Sequence, residues 1–173
     1  MNAVMDCIFG RRSVRSFTDA PIERETLMQI AEAAQWAPSA QHKETWKFTV
    51  TCDKDKMARL AKAIALETGR DPETYNLYKP AALILASNEK DNPNGLADCS
   101  CALENIFLAA HSLGIGSVWI NQLQNICDDP KIRAELTALG IPADHVVYGL
   151  AALGYPDDVK SEKARIGKVV VVE

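Results

Sequence analysis

Residues 11–15 read Arg11-Arg12-Ser13-Val14-Arg15 and follow an apolar N-terminal segment. Three cationic side chains and a hydroxyl within five residues suit an anionic ligand better than a hydrophobic core. In an extended backbone, Arg11, Ser13 and Arg15 would project from one face over roughly 13 Å. Such a face could hold a phosphate at one end and a second acceptor at the other. Taken alone, such a cluster is better explained as a solvated basic turn, and the rest of the chain reverses that preference.

The rest of the chain is acidic, so this basic cluster stands out. The 173 residues carry 19 Lys and Arg against 23 Asp and Glu, a formal net charge of -4 and a pI near 5.4. This balance disfavours nucleic acid and anionic membrane as partners. With 47% hydrophobic residues, residues 1–173 are expected to form a single domain. We expect a cytoplasmic protein, because the sequence contains no membrane-length apolar run and no signal-peptide pattern.

The five cysteines do not follow a disulfide or metal-binding pattern. Their number is odd, and the spacing of Cys99 and Cys101 is not that of zinc or thioredoxin-like motifs. The chain has only three histidines. We therefore predict no metal site, and we predict that most of the thiols are free and buried.

Hydrophobic periodicity predicts a chain in which helices and strands are mixed. The predicted helices are 3–9, 23–36, a segment that follows Asp53 and ends near residue 67, 96–113 and 129–139; the predicted strands are 46–52, 81–86, 117–120, 148–153 and 169–172. The continuously apolar segment 81–86 is typical of a central strand. Apolar and small residues surround much of helix 96–113, which indicates a central position for it.

Three further features bear on function. A second basic segment contains Lys160, Lys163, Arg165 and Lys168, and folding could bring it to the same dianion as residues 11–15. The small residues of Pro38-Ser39-Ala40 would let a planar ligand approach the backbone, although, taken alone, an ordinary loop with a serine turn explains them better. Gly114-x-Gly116 follows a helix and precedes a strand, so it indicates a helix end rather than a dinucleotide motif. The sequence contains neither a nucleophile elbow nor a Gly-Lys-Ser/Thr phosphate loop.

In order along the chain, these pieces resemble the FMN-dependent nitroreductase family, especially its short members. The matching segments are Arg11 to Phe17, Ala37 to Ala40, Trp46 to Phe48, Glu104 to Ala110, Gly114 to Ile120, Gly154 to Pro156, and Lys163 with Arg165. Each segment is weak evidence alone, but their order and spacing are specific. The resemblance implies an α+β fold, with a central, mostly antiparallel sheet flanked by helices. It also implies an intertwined homodimer with FMN sites at the subunit interface.

The resemblance assigns cofactor-binding roles to residues of this chain. Arg11, Arg12 and Ser13 match a phosphate-binding motif, and Arg15 matches a cation near the pyrimidine edge of the flavin. Pro38, Ser39 and Ala40, with His42 in the same loop, match the segment that reaches the flavin from the other subunit. Trp119, Ile120, Asn121 and Gln122 match the segment beneath the flavin, and Lys163 and Arg165 match further phosphate contacts.

The implied activity is electron transfer from NADH or NADPH, through FMN, to electron-poor acceptors by a ping-pong mechanism. Nitroaromatics, quinones and activated alkenes are the acceptors it suggests, and no catalytic side chain is assigned. A quinone, flavin or dehalogenating reductase is an alternative within the same chemistry. A flavin-binding sensor or carrier without turnover is the alternative outside it, and a nucleic-acid module is disfavoured by the charge.

Three positions depart from the family pattern. His42 stands where Asn is common, Glu44 where Gln is common, and Thr45 where many members have Pro. A histidine can titrate near neutral pH, and a glutamate adds negative charge near a site expected to bind an anion. The chain also lacks the insertions that shape the pockets of longer members, which suggests an open substrate pocket.

Overall fold

The computed structural model describes residues 2–158 and 165–173. Its helices are α1 (Ala3–Gly10), α2 (Arg24–Gln35), α3 (Lys54–Glu67), α4 (Gly95–Ser112) and α5 (Pro130–Ala138), and its strands are β1 (Trp46–Thr51), β2 (Ala82–Glu89), β3 (Gly116–Ile120) and β4 (His145–Gly154). Short 3₁₀ turns span Ala40–His42 and Gln122–Asn125. The helices and the first four strands predicted from the sequence are therefore confirmed, with shifts at their ends. Among the described residues, no helix combines the length and apolarity needed to cross a bilayer.

The four strands form one sheet in the order β1-β2-β4-β3, and every neighbouring pair is antiparallel. β2 and β4 are central, while β1 and β3 lie at opposite edges. Helices cover both faces of this antiparallel sheet, so the predicted α+β class is confirmed.

The core has two layers because alternate residues of β2 point to opposite faces of the sheet. Ile84 packs with α2 and α4, whereas Leu83 and Leu85 pack with α3 and α5. Both faces are buried, which explains why the sequence of β2 is continuously apolar rather than alternating.

Local sequence signals set the ends of several helices. The Asp53 carboxylate accepts hydrogen bonds from the backbone amides of Asp55 and Lys56, at 3.1 and 3.0 Å, and so caps α3. Gly114 follows α4 with a φ of +74°, a conformation that favours glycine. The Ile115 amide then donates to the Ala110 carbonyl at 2.8 Å, and the chain turns directly into β3. The helix-end interpretation of Gly114-x-Gly116 is confirmed.

The predicted strand 169–172 is wrong for the single chain. Residues 165–173 contain no strand, and the four valines of 169–172 are 79–93% exposed. Strand propensity is not enough here, because a strand needs a neighbour to pair its backbone groups. The sheet formed by the described residues offers this segment no such pairing.

The prediction that most thiols are buried is also wrong. All five cysteines are free, but only Cys99 and Cys127 are buried. Cys7 is partly buried, and Cys52 and Cys101 are exposed. Cys52 is exposed because β1 ends one residue earlier, at Thr51, so the alternation of that strand no longer directs it into the core.

Candidate functional site

The basic stretch runs as extended backbone beside the start of β3. The Val14 amide donates to the Ser117 carbonyl at 2.9 Å, and Ser13 forms a parallel bridge with Ser117. Val14 is 6% exposed, while Ser13 and Arg15 face solvent. The predicted alternation is therefore present at residues 13–15. The approach of the stretch to β3 is close at Gly116, where a Cβ would lie 3.0 Å from Val14 Cβ.

Arg11 carries a buried donor without a hydrogen-bond partner. Its Nε lies 3.2 Å from Glu104 Oε1 on α4, but the N–H is not aligned for a hydrogen bond. Because the Nε atom is buried beside the Glu104 carboxylate, a ligand would reach Arg11 through the exposed part of its side chain. The Arg11 side chain as a whole is 23% exposed, which gives a ligand access to it. Arg12, next to it, is partly buried.

The segment from Trp119 to Gln122 continues along β3, two residues beyond Ser117. Ile120 is buried with the α3 and α5 layer, while Trp119 faces the α4 side, where its ring centroid lies 6.4 Å from that of Phe107. Trp119 is 44% exposed, and the Gln122 Oε1 atom is buried without a hydrogen-bond partner. Asn121 is exposed. The structure thus brings the basic stretch and this segment to one edge of the sheet.

The loop containing Pro38, Ser39 and Ala40 lies elsewhere, ahead of β1 at the opposite edge. Edge strands of a four-stranded sheet are roughly 14 Å apart, three strand spacings. Pro38 is exposed, and Ser39 and Ala40 are partly buried. Within one described chain, this loop and the basic stretch therefore belong to different edges of the sheet.

The residues that follow in this loop hold a strained backbone. Gln41 and His42 each have a φ of 57°, and Glu44 has a φ of 49°. For residues other than glycine this conformation costs roughly 1 kcal/mol or more each. Such strain persists only where the surroundings impose it.

The three departures from the family pattern form two groups. His42 Nδ1 lies 2.8 Å from Glu44 Oε1, and the His42 side chain is 88% exposed. The His42 and Glu44 side chains therefore contact each other at the surface. Thr45 points inward instead, and its hydroxyl donates to Asn88 Oδ1 at 2.6 Å.

The second basic segment is only partly described. Lys160 and Lys163 lie outside the described residues, and Arg165 is exposed, in backbone without helix or strand. The convergence of the two basic segments on one anion stays a prediction.

Sequence reasoning missed two acidic residues of α4 that contact predicted site residues. Glu104 approaches Arg11, and Asp98 contacts Ser39 and Ala40. Asp98 had a detectable signal: it lies four residues before the buried Ala102, so helical spacing places it on the buried face.

Comparison with known proteins decides the family. The model of the nitroreductase family matches residues 8–155. The chain belongs to the nitroreductase family. A nitroreductase crystal structure with bound FMN from Bacteroides fragilis is 42% identical, with a TM-score of 0.93 and complete coverage of both chains. An FMN-dependent nitroreductase from Clostridium difficile is 32% identical, with a TM-score of 0.78 over 92% of this chain and 91% of that one.

A further relative has a named reductase activity. The FMN reductase [NAD(P)H] of Bacillus subtilis is 29% identical over 188 residues, covering 99% of this chain and 73% of the relative. The suspected resemblance to nitroreductases is therefore confirmed at the level of sequence family and fold.

Proposed function

We propose that this protein is an NAD(P)H-dependent FMN oxidoreductase whose residues 1–173 form a single FMN-binding domain. The observation that carries the proposal is the cationic stretch itself, held extended against β3 with Ser13 and Arg15 exposed. The bound FMN of the Bacteroides fragilis relative and the named activity of the Bacillus subtilis relative support it. We place the protein in the cytoplasm, which its five free cysteines support.

The donor set of this chain suits FMN. Arg11, Arg12 and Ser13 would hold the phosphate, with Lys163 and Arg165 as further cations, and Arg15 would face the pyrimidine edge of the ring. Trp119 to Gln122 would lie beneath the ring, where the Gln122 Oε1 atom needs a donor. Bound FMN would supply the redox chemistry, taking a hydride from NAD(P)H and passing electrons to an acceptor. An arginine at the pyrimidine edge stabilises negative charge there, and it thereby favours flavin reduction.

We further propose that the working form is an intertwined homodimer. An apolar groove of about 500 Å³ lies between α1, α2 and α4, and it exposes 66% of Val4 and 87% of Trp36. Exposed apolar surface of this kind is typical of protein interfaces. A second copy would also supply the neighbour that the valines of 169–172 lack, and it would bring its Pro38 loop to the basic stretch of the first copy.

The homodimer can be tested with charged substitutions in the groove. Val4→Asp combined with Ile8→Asp should convert a dimeric wild type into a monomer, because the new carboxylates would be desolvated at the interface. The same variant should lose FMN binding, since each site needs residues from both copies. Leu66→Asp, at an exposed position on α3 in the opposite layer, is the matched control and should stay dimeric. Sedimentation measures both forms; a monomeric wild type that binds FMN would contradict the proposal.

Steady-state kinetics would test the ping-pong mechanism and the acceptor class. With NADH or NADPH as donor, we expect double-reciprocal plots at several acceptor concentrations to be parallel, because donor and acceptor use the site in turn. Intersecting lines would contradict this order. A panel of nitroaromatics, quinones, activated alkenes, free flavins and halogenated aromatics, with product analysis, would separate a nitroreductase from a quinone, flavin or dehalogenating reductase.

A further inference from the structure

A buried carboxylate lies behind the Pro38 loop. Asp98, in the first turn of α4, is only 4% exposed, and it forms no ion pair with any residue that the structure describes. Burying a carboxylate in this way is unfavourable unless hydrogen bonds compensate for the lost water. Its Oδ1 accepts from the Ala40 amide at 3.0 Å, and its Oδ2 accepts from Ser39 Oγ at 3.4 Å and Asn92 Nδ2 at 3.5 Å. Two of these three donors belong to the loop.

The C-terminal end of the loop is hydrogen-bonded to buried polar residues next to Asp98. Thr45 donates to Asn88 Oδ1 at 2.6 Å, and Asn92 Nδ2 donates to Thr45 Oγ1 at 3.0 Å. Asn88 is fully buried and Asn92 is 5% exposed. The Glu44 amide also donates to Ser39 Oγ at 3.1 Å, which closes the loop on itself. Asp98 and Asn92 therefore link both ends of the loop to α4 and the turn before it.

The neighbouring thiol does not add charge to this cluster. Cys99 is fully buried, and burial, with a smaller contribution from Asp98, raises the pKa of its thiol to about 12. It therefore stays protonated at neutral pH and is a poor nucleophile. The cluster is suited to holding a conformation rather than to redox chemistry of its own.

Between these anchors lie the three residues with positive φ, Gln41, His42 and Glu44. Their conformation is not one that the local sequence prefers, so the anchors must impose it. We propose that Asp98 is a positioning residue that fixes the loop from Pro38 to Glu44 in the conformation that presents it to the flavin. This inference rests on the proposed FMN site and adds a residue outside the predicted binding set.

A flavin-free measurement tests the anchoring itself. In Asp98→Ala, hydrogen exchange at the Ala40 amide should accelerate by about tenfold or more, because that amide loses its acceptor. Asp91→Asn is the matched control, since it removes an exposed carboxylate from the preceding turn, and it should leave exchange at Ala40 unchanged. Unchanged exchange in Asp98→Ala would overturn the anchoring role.

The isosteric variant Asp98→Asn keeps the experiment decisive if the alanine variant fails to fold. Its amide would face the amide of Asn92, a donor against a donor, so exchange at Ala40 should again rise. Adding Asn92→Asp restores one donor and one acceptor at the contact with residue 98, so exchange at Ala40 should return toward wild type. The donation from Asn92 to Thr45 is lost in the same variant, so the Thr45 end of the loop is not expected to recover. A double variant no better than Asp98→Asn would overturn the proposed network.

Comparison of two flavins links the anchoring to the ligand. The loop is expected to face the flavin ring, so Asp98→Asn should weaken FMN and riboflavin binding by the same factor, about tenfold. Arg11→Ala should weaken FMN binding but leave riboflavin binding unchanged, because riboflavin has no phosphate. Wild-type affinity for both flavins in Asp98→Asn would overturn the positioning role of Asp98 but would not contradict the proposed FMN site. A wild-type protein that binds neither flavin would overturn the proposed function as well.

Discussion

The double variant Arg11→Ala with Ser13→Ala is expected to bind FMN about 100-fold more weakly than the wild type. Arg11 supplies a charge-assisted donor, and such hydrogen bonds contribute about 1.5–3 kcal/mol each. Ser13 adds an exposed hydroxyl from the same extended stretch. Thermal stability should change little, because the contact that Arg11 loses within the described protein is a partly exposed ion pair with Glu104, and such pairs contribute about 1 kcal/mol or less.

Fluorescence titration with FMN measures this effect. The matched control is Lys62→Ala, which removes an exposed cation from α3, in the layer opposite α4. It should retain wild-type affinity, which separates a local contact from the effect of net charge. Wild-type FMN affinity in the double variant would contradict the assignment of a phosphate to residues 11–13.

Gly149→Ala is expected to destabilise the fold by about 1–3 kcal/mol, the usual range for overpacking a core. Gly149 lies in the central strand β4, and a Cβ there would overlap Trp119 Nε1 and come within 2.8 Å of Leu103 Cδ1. Trp119 is a rigid indole on β3, so relief requires its movement. Replacing glycine with alanine in a strand normally stabilises a protein, because it reduces the conformational entropy of the unfolded chain. A loss of stability in Gly149→Ala would therefore indicate close packing around Gly149.

Urea unfolding followed by tryptophan fluorescence measures the Gly149→Ala effect. Adding Trp119→Phe removes the overlapping ring atom and should recover part of the lost stability, giving a positive coupling in a double-mutant cycle. The single variant should also weaken FMN binding, because Trp119 begins the segment predicted to lie under the flavin. Wild-type stability in Gly149→Ala would contradict the close packing of β4 against β3 and α4.

Much of the fold was predictable because it depends on local patterns. The stripe of Leu27, Ile30, Ala31 and Ala34 predicts the buried face of α2, and all four are buried. Asp53 predicts the start of α3 because a cap needs only its own side chain and nearby amides. Ser13-Val14-Arg15 alternates as expected because an extended backbone fixes which side each residue faces.

The features that the sequence did not reveal depend on partners distant along the chain. The valines of 169–172 have strand propensity, but a strand forms only where another strand pairs with it. Asp98 lies 58 residues from Ala40, so its hydrogen bond follows from the packing of α4 near the loop before β1. The contacts of the predicted FMN-binding residues with a flavin, and those of Lys163, stay predictions for the same reason.

The most direct test of the FMN assignment is a visible absorption spectrum of the purified protein, taken before and after anaerobic addition of NADH or NADPH. We expect the paired visible bands of an oxidised flavin, bleaching on addition of the donor and returning when an acceptor is added. A yellow protein that neither donor bleaches would instead favour the flavin carrier or sensor. A colourless protein that cannot be reconstituted with FMN would contradict the account.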